Sequence, residues 1–259
     1  MGADPWLAGD RYEPYVGRWS RLVAPRFLAW LAAPAGLRWI DVGCGTGALT
    51  AAVAEHTEPA SVLGVDPSPG FVTWAAEHHA APGVAYRVGY ADGLEPGGAD
   101  VVVSGLVLNF LPDPDAALAA MAAAAPGGTV AAYVWDYAGG MELLRLFWDA
   151  AVAADPTAAP LHEARRFPGW GAEDLAARWR AAGLAEVETT EVDVEATYPG
   201  PLAVWVPFLG GTGPAPGYVA SLADPQRDAL RDRFLAGLPV GADGRVRLTA
   251  RAHAVRGRA

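Results

Sequence analysis

The sequence predicts an α/β fold in which a mostly parallel sheet carries helices on both faces. Three observations lead there. Short apolar, β-branched runs near residues 38–42, 61–66, 84–89, 99–104 and 128–135 alternate with helical patterns near 46–56, 69–80, 114–124 and 172–182. A glycine-rich turn, Gly43-Cys44-Gly45-Thr46-Gly47, joins the first strand pattern to the first helix pattern. The 259-residue chain is 52% hydrophobic, enough to bury one large core. The parallel connections are expected to be right-handed.

Taken in order, residues 18–33 place Trp19, Leu22, Val23, Phe27, Leu28, Trp30 and Leu31 at helical spacing, with a break expected near Pro25. Trp39, Ile40 and Val42 then fit a buried strand. Residues 116–135 are uncharged, but Pro126-Gly127-Gly128 divides them into an Ala-rich helix and a strand, so no membrane span is expected. From residue 184 the texture changes. Residues 185–195 alternate acidic or polar side chains with Val and Thr, the pattern of a strand with one wet face. Residues 199–217 set Trp205, Phe208 and Leu209 among prolines and glycines and read as a mobile lid. Residues 224–237 return to a helix, and 245–255 alternate again as a last, antiparallel strand closing the sheet. No repeat or linker appears. The chain therefore reads as a single domain, with an N-terminal cap over 1–36, a cofactor-binding core over 37–136, and substrate-side helices, lid and final strands over 137–259.

Composition narrows the chemistry. All 19 basic residues are arginine, which excludes a lysine Schiff base and a lysine-bearing phosphate loop. A net charge of −10 argues against a nucleic-acid or anionic-membrane surface. The C-terminal run Arg245, Arg247, Arg251, Arg256 and Arg258 reads as a solvated strand face. Cys44 is the only cysteine, so no intrachain disulfide forms, and it reads as a small filler of the glycine loop. His78-His79 lacks metal-ligand spacing, and no metal is expected. Met1-Gly-Ala-Asp-Pro lacks the basic start and apolar run of a signal peptide, so a cytoplasmic location is expected.

The glycine turn carries the functional signal. A strand, a turn that only glycine permits and a helix N-terminus together form a nucleotide-type cradle. Gly43-x-Gly45-x-x-Ala48, with Asp66 about 20 residues on, also satisfies the relaxed dinucleotide fingerprint and an NAD-linked oxidoreductase reading. Asp41 discriminates. A carboxylate just before the first glycine repels a pyrophosphate and favours a cationic amino-acid moiety, such as that of S-adenosylmethionine.

The run Asp41-Val-Gly-Cys-Gly-Thr-Gly47 resembles the first motif of class I S-adenosylmethionine-dependent methyltransferases. The likeness continues through Ser61-Val-Leu-Gly-Val-Asp66-Pro-Ser68, Val84 to Leu94, and Ala99 to Pro114, over roughly residues 38–136 in the expected order. It implies a Rossmann-like seven-stranded sheet. It implies that Gly43, Gly45 and Gly47 line the amino-acid half of the donor, with Asp41 toward its ammonium. Asp66 would accept both ribose hydroxyls, Pro67 would pack near the adenine, and backbone around Leu106 would lie near the ammonium. A helix N-cap, with Pro67 at the first helical position, is the alternative for Asp66.

The adenine loop departs from the family pattern. Tyr90 stands where the family places an acid, so Asp92 and the backbone of Ala91 are the expected contacts. Asn109 stands where a histidine is frequent, and a polar residue in so apolar a run wants a partner. The stretch from Tyr12 to Arg21 resembles the cap of a bacterial branch related to quinone-biosynthesis methyltransferases, so that Tyr15, Arg18 or Arg21 would reach the donor carboxylate. Methyl transfer depends on alignment and exclusion of water, so no strong acid–base signature is required. Tyr15, Asn109, Trp135 and His162 are the candidates on the acceptor side, and Trp135, Trp170 and Trp205 the candidate aromatic lining. The expected acceptor is a small hydrophobic or aromatic molecule. A donor-binding protein without transfer activity is the other reading.

Overall fold

The computed structural model describes residues 17–210 and 213–259. A seven-stranded sheet has the order β3-β2-β1-β4-β5-β7-β6. Its strands are β1 (Arg38–Val42), β2 (Ser61–Asp66), β3 (Val84–Val88), β4 (Val101–Gly105), β5 (Thr129–Trp135), β6 (Ala185–Tyr198) and β7 (Val246–Arg258). β1 to β5 pair in parallel, and β7 runs antiparallel to β5, with Thr129 opposite Arg258 and Trp135 opposite Ala252. The described helices are α1 (Arg18–Leu31), α2 (Ala48–His56), α3 (Pro69–His78), α4 (Pro114–Ala124), α5 (Glu142–Ala154), α6 (Glu163–Arg166), α7 (Ala172–Ala181), α8 (Pro201–Trp205), α9 (Pro214–Ser221) and α10 (Asp224–Ala236).

The chain divides into two compact units. One comprises Ser20–Trp135, Gly169–Val192 and Ala252–Ala259. Its strands alternate their burial between two faces, as the two-residue period of a strand dictates. One face gathers Ile40, Val42, Val65, Val102, Leu118, Met121, Val130 and Trp179 in a single cluster. The Trp179 Nε1–H donates to the Val130 carbonyl at 3.0 Å, so this buried indole is satisfied. Elsewhere in this unit Phe27 of α1 meets Tyr133 of β5 with ring centroids 4.7 Å apart. Arg256 pairs with Glu188 and donates to the Leu31 carbonyl.

The other unit comprises Met1–Trp19, Asp136–Pro168 and Asp193–Arg251. Its described core is aromatic. Phe147 stacks on Phe208 at 4.4 Å, and Trp205 and Phe234 complete the group. Arg251 pairs with Asp193, and Arg247 with Asp243.

Two sequence expectations change here. Pro25 does not break α1, which continues to Leu31. Val23, Ala24 and Phe27 around it are fully buried, and that packing offsets the hydrogen bond proline removes. The described residues of the 199–217 stretch are largely helical rather than loop: α8 is followed by a 3-10 turn over Val206–Gly210, and α9 spans Pro214–Ser221. Trp205 and Phe208 are buried, while Leu202, Val206 and Leu209 are exposed.

Parallel β1 is flanked by β2 on one side and β4 on the other, so successive connections leave it in opposite directions. Such a reversal opens a crevice at the carboxyl ends of the strands. The turn into β5 is tight: a Cβ at Gly128 would collide with the Asp100 carbonyl, which is backbone and cannot yield cheaply. Gly128→Ala is therefore expected to lower unfolding free energy by about 2 kcal/mol or more in a urea titration, whereas Gly127→Ala loses less, because nothing crowds that position and only its positive φ of 70° is strained.

Candidate active site

The site grows from the end of β1. Val42 leads into Gly43, Gly45 and Gly47, whose φ values of 74°, 53° and 86° all lie in the left-handed region. A Cβ at Gly43 would lie 2.6 Å from the Val107 side chain, so the loop also needs glycine for close approach. A Cβ at Gly45 would meet nothing within 4 Å, which leaves this part of the loop open on one side. The Gly43 and Cys44 amides donate to the Val65 carbonyl at 2.7 and 3.1 Å and tie the loop to β2. Gly47 caps α2 without a side-chain hydrogen bond to the helix.

Asp41 is 1% exposed on β1. Its Oδ2 accepts from the Thr50 hydroxyl at 2.7 Å, and its Oδ1 is buried with no hydrogen-bond partner. Burial pushes its carboxyl up to about 7, against the Thr50 hydrogen bond, and nearby Asp66 adds to the rise. Burial likewise raises the Cys44 thiol, with Asp41 and Asp66 reinforcing it, so the cysteine stays neutral. It is 7% exposed and fills the loop.

Asp66 ends β2 and is 7% exposed. Its Oδ2 accepts from the Gly45 amide at 2.9 Å and its Oδ1 from the Ser68 amide at 2.8 Å. Burial raises its carboxyl and these two bonds oppose the rise. The capping role falls elsewhere: Ser68 caps α3 through the Phe71 amide, with Pro69 in the first turn. Asp66 therefore clamps the glycine loop and is not the helix cap considered from sequence.

Past β3, the Gly89 amide donates to the Asp66 main-chain carbonyl at 3.0 Å, which ties the start of the next loop to the end of β2. Tyr90 follows, 68% exposed, then a 3-10 turn over Ala91–Gly93 that holds exposed Asp92. Past β4, Leu106 adopts φ 64°, a strained left-handed conformation for a branched side chain, while its amide donates to the Tyr133 carbonyl. Asn109 lies in the next 3-10 turn, 7% exposed, and neither its Oδ1 nor its Nδ2 has a hydrogen-bond partner. An orphaned buried amide costs roughly 1–3 kcal/mol per unpaired group.

Residues 40–130 match the family model for a methyltransferase domain. The ubiquinone biosynthesis O-methyltransferase of Methylococcus capsulatus is 43% identical over 102 residues, which are 37% of this chain and 42% of that protein. The trans-aconitate 2-methyltransferase of Methylobacterium nodulans is 36% identical over 108 residues, 41% of this chain and 40% of that protein. The chain thus spans about two fifths of the length of these relatives. Among solved structures, the YcgJ protein of Bacillus subtilis aligns with a TM-score of 0.57 at 16% identity, covering 91% of this chain and 97% of that one. A phosphoethanolamine N-methyltransferase of Haemonchus contortus, in complex with S-adenosyl-L-methionine, aligns with a TM-score of 0.55 at 18% identity, covering 90% of this chain and 52% of that one. At such identities the structures speak for the fold alone. Residues 40–130 thus carry a methyltransferase domain, and over that stretch the chain is similar to class I S-adenosylmethionine-dependent methyltransferases.

Asp41, Gly43, Gly45, Gly47, Asp66, Pro67, Ala91, Asp92 and Leu106 all fall within one unit, at the ends of β1 and β2 or on the loops that leave β1, β2, β3 and β4. Trp135 is 3% exposed at the end of β5. Trp170 packs against the core of the same unit and lies under the Arg178 guanidinium. His162 belongs to the other unit, where its Nδ1 accepts from the Ala164 amide and so caps α6. Burial lowers its pKa, against Asp149. Arg18 donates to the Thr197 carbonyl and lies over the Tyr198 ring. Tyr15 lies outside the described residues. Sequence reasoning missed Thr50, the Asp41 partner, and Val107, the side chain facing Gly43. The signal for Thr50 was a hydroxyl among the apolar residues that open α2.

The Asp41 shift has a consequence for stability. Its folded pKa of about 7 exceeds its unfolded value of 3.8, so the folded state keeps a proton that the unfolded state has lost. Stability is expected to fall as pH rises from about 4 to about 7, by roughly 4 kcal/mol for a shift of about three units. Asp41→Asn should flatten that decline and raise the denaturation midpoint of the ligand-free protein at pH 8. A variant less stable than the parent at pH 8 would show that the charged carboxylate is already compensated.

Proposed function

We propose that this chain binds S-adenosyl-L-methionine across the carboxyl ends of β1, β2 and β4 and transfers its methyl group to a small hydrophobic or aromatic molecule. The unpartnered Asp41 oxygen beside the glycine loop carries the reading. A buried carboxylate is costly unless a cation or several donors offset it, and the donor offers a cationic amino-acid end. A pyrophosphate in that place would make the cost worse, so the same atom speaks against NAD.

Each residue then has a task. The glycine-loop backbone gives the amino-acid half its close approach. Asp66 is already held by two amides and keeps lone pairs for the two ribose hydroxyls. Pro67, the Ala91 backbone and Asp92 surround the adenine, and Leu106 turns its strained backbone toward the ammonium. Asn109 offers one donor and one acceptor to the methyl acceptor. The bound donor supplies an electrophilic methyl on a sulfonium. In-line displacement breaks the sulfur–carbon bond and forms the bond to the acceptor, leaving a thioether and releasing the acceptor proton. The protein contributes alignment and a dry site. The acidic surface and the abundance of tryptophan favour a small apolar acceptor over nucleic acid. The two relatives are named for different acceptors, so likeness alone selects none.

Titration calorimetry tests the reading. S-adenosylhomocysteine is expected to bind at about 10 μM or tighter, and at 100 times its Kd to stabilise the fold by roughly 2.7 kcal/mol. NAD is expected not to bind. Asp66→Ala should weaken S-adenosylhomocysteine by about 1.5–3 kcal/mol, the range for charge-assisted hydrogen bonds, with the fold retained. Binding of NAD without S-adenosylhomocysteine would overturn the assignment.

A further inference from the structure

Asp41, Gly64 and Tyr86 form one row across β1, β2 and β3, with Asp41 paired to Gly64 and Gly64 to Tyr86. Register partners of a parallel sheet send their side chains to the same face. The middle member has no side chain, and the space is used. A Cβ at Gly64 would lie 2.8 Å from Tyr86 Cδ1, 3.0 Å from Cys44 Sγ and 3.0 Å from Thr50 Oγ1. The Tyr86 ring thus crosses Gly64 toward the groups around Asp41, and its hydroxyl ends 2.9 Å from where a Gly47 Cβ would stand. A phenylalanine would fill the same space. The hydroxyl is the feature that packing does not explain, because it is buried and has no hydrogen-bond partner. In the same cluster the Asp41 Oδ1 is also buried and unpartnered. One orphan is a donor and the other an acceptor.

We propose that Tyr86 is a positioning residue: its hydroxyl donates to Asp41 when that carboxyl is ionised and holds it charged beneath the glycine loop for the ammonium of the methyl donor. The inference rests on the donor-binding reading above. The surroundings single out this hydroxyl. Thr50, on α2, is already committed to the other Asp41 oxygen. Cys44 stays a neutral thiol, and Asp66 on β2 opposes a second negative charge. On β4 the register partner of Asp41 is apolar Val103. His79, following α3, lies 3.1 Å from the same Gly47 position, and burial lowers its pKa, so it is neutral when Asp41 ionises. Tyr86, held protonated by burial and by Asp41 itself, is the donor left over. A carboxylate oxygen has two lone pairs, so phenol and ammonium can share it.

The experiment measures S-adenosylhomocysteine affinity by calorimetry between about pH 5.5 and 8.5, for the parent, Tyr86→Phe and Asp41→Asn. The same titrations with 5′-methylthioadenosine, which lacks the amino-acid end, serve as control. Parent affinity should rise with pH toward a plateau above about 7. Loss of a hydrogen bond to the charged form raises a carboxyl pKa, so the Tyr86→Phe curve should be displaced upward by roughly half to one pH unit, making binding about three- to tenfold weaker at pH 6.5. The gap should narrow toward pH 8.5, while Asp41→Asn flattens the curve and 5′-methylthioadenosine does not distinguish parent from Tyr86→Phe. Superimposed parent and Tyr86→Phe curves would reduce Tyr86 to a packing ring. A loss equal at every pH and shared by 5′-methylthioadenosine would also refute the proposal, since that is how a merely loosened loop behaves. Failure of the parent to bind S-adenosylhomocysteine at all would instead sink the donor-binding reading.

Discussion

Asp41 lies out of water at the end of β1, with a hydroxyl on one oxygen and nothing on the other. A group in that state is expensive in the ligand-free protein, and the arrangement around it keeps the expense. Gly64 admits the Tyr86 ring, Cys44 fills the loop, and Asp66 adds a second carboxyl nearby. The amides of Gly43, Cys44 and Gly45 are bonded to Val65 and Asp66, which ties the glycine loop over this group. Stability is therefore held below what an apolar residue at position 41 would give, and a cationic ligand is the natural compensation.

The same loop explains why β2 matters as much as β1. Asp66 bonds the Gly45 amide, and Gly89 bonds the Asp66 carbonyl, so the loops after three strands are joined through one residue. β4 enters through Val107, which lies against Gly43, and through the Ser104 hydroxyl, which donates to the Val42 carbonyl at 2.8 Å. The switch in strand order between β2 and β4 brings these ends to one crevice.

Most of the sheet was legible in the sequence because its signals are local. The strand at 61–66 was read to its ends and the one at 84–89 to within a residue, since apolar runs bounded by turn residues depend on nothing distant. What escaped depends on tertiary packing. Pro25 reads as a breaker, yet the helix survives because the face formed by Trp19, Val23, Ala24 and Phe27 is fully buried. Prolines and glycines over 199–217 suggest a loop, yet Phe208 stacks on Phe147, more than fifty residues away in sequence. Within the site, Asp41, the glycines and Asp66 stand out by motif. Thr50 and Tyr86 do not, because Thr50 meets Asp41 only through the packing of α2 and Tyr86 only through the register of β1, β2 and β3, and no periodicity reveals either. Gly64 was the one available hint, an isolated glycine inside a strand, which marks close approach of another group.

The most direct measurement is a crystal structure with S-adenosylhomocysteine bound. It should show both ribose hydroxyls on the Asp66 carboxylate, the homocysteine ammonium on the Asp41 side of the glycine loop, and the sulfur facing the turn that holds Asn109. A ligand seated away from the carboxyl ends of β1 and β2, or one whose ribose leaves Asp66 bonded only to the Gly45 and Ser68 amides, would contradict the account.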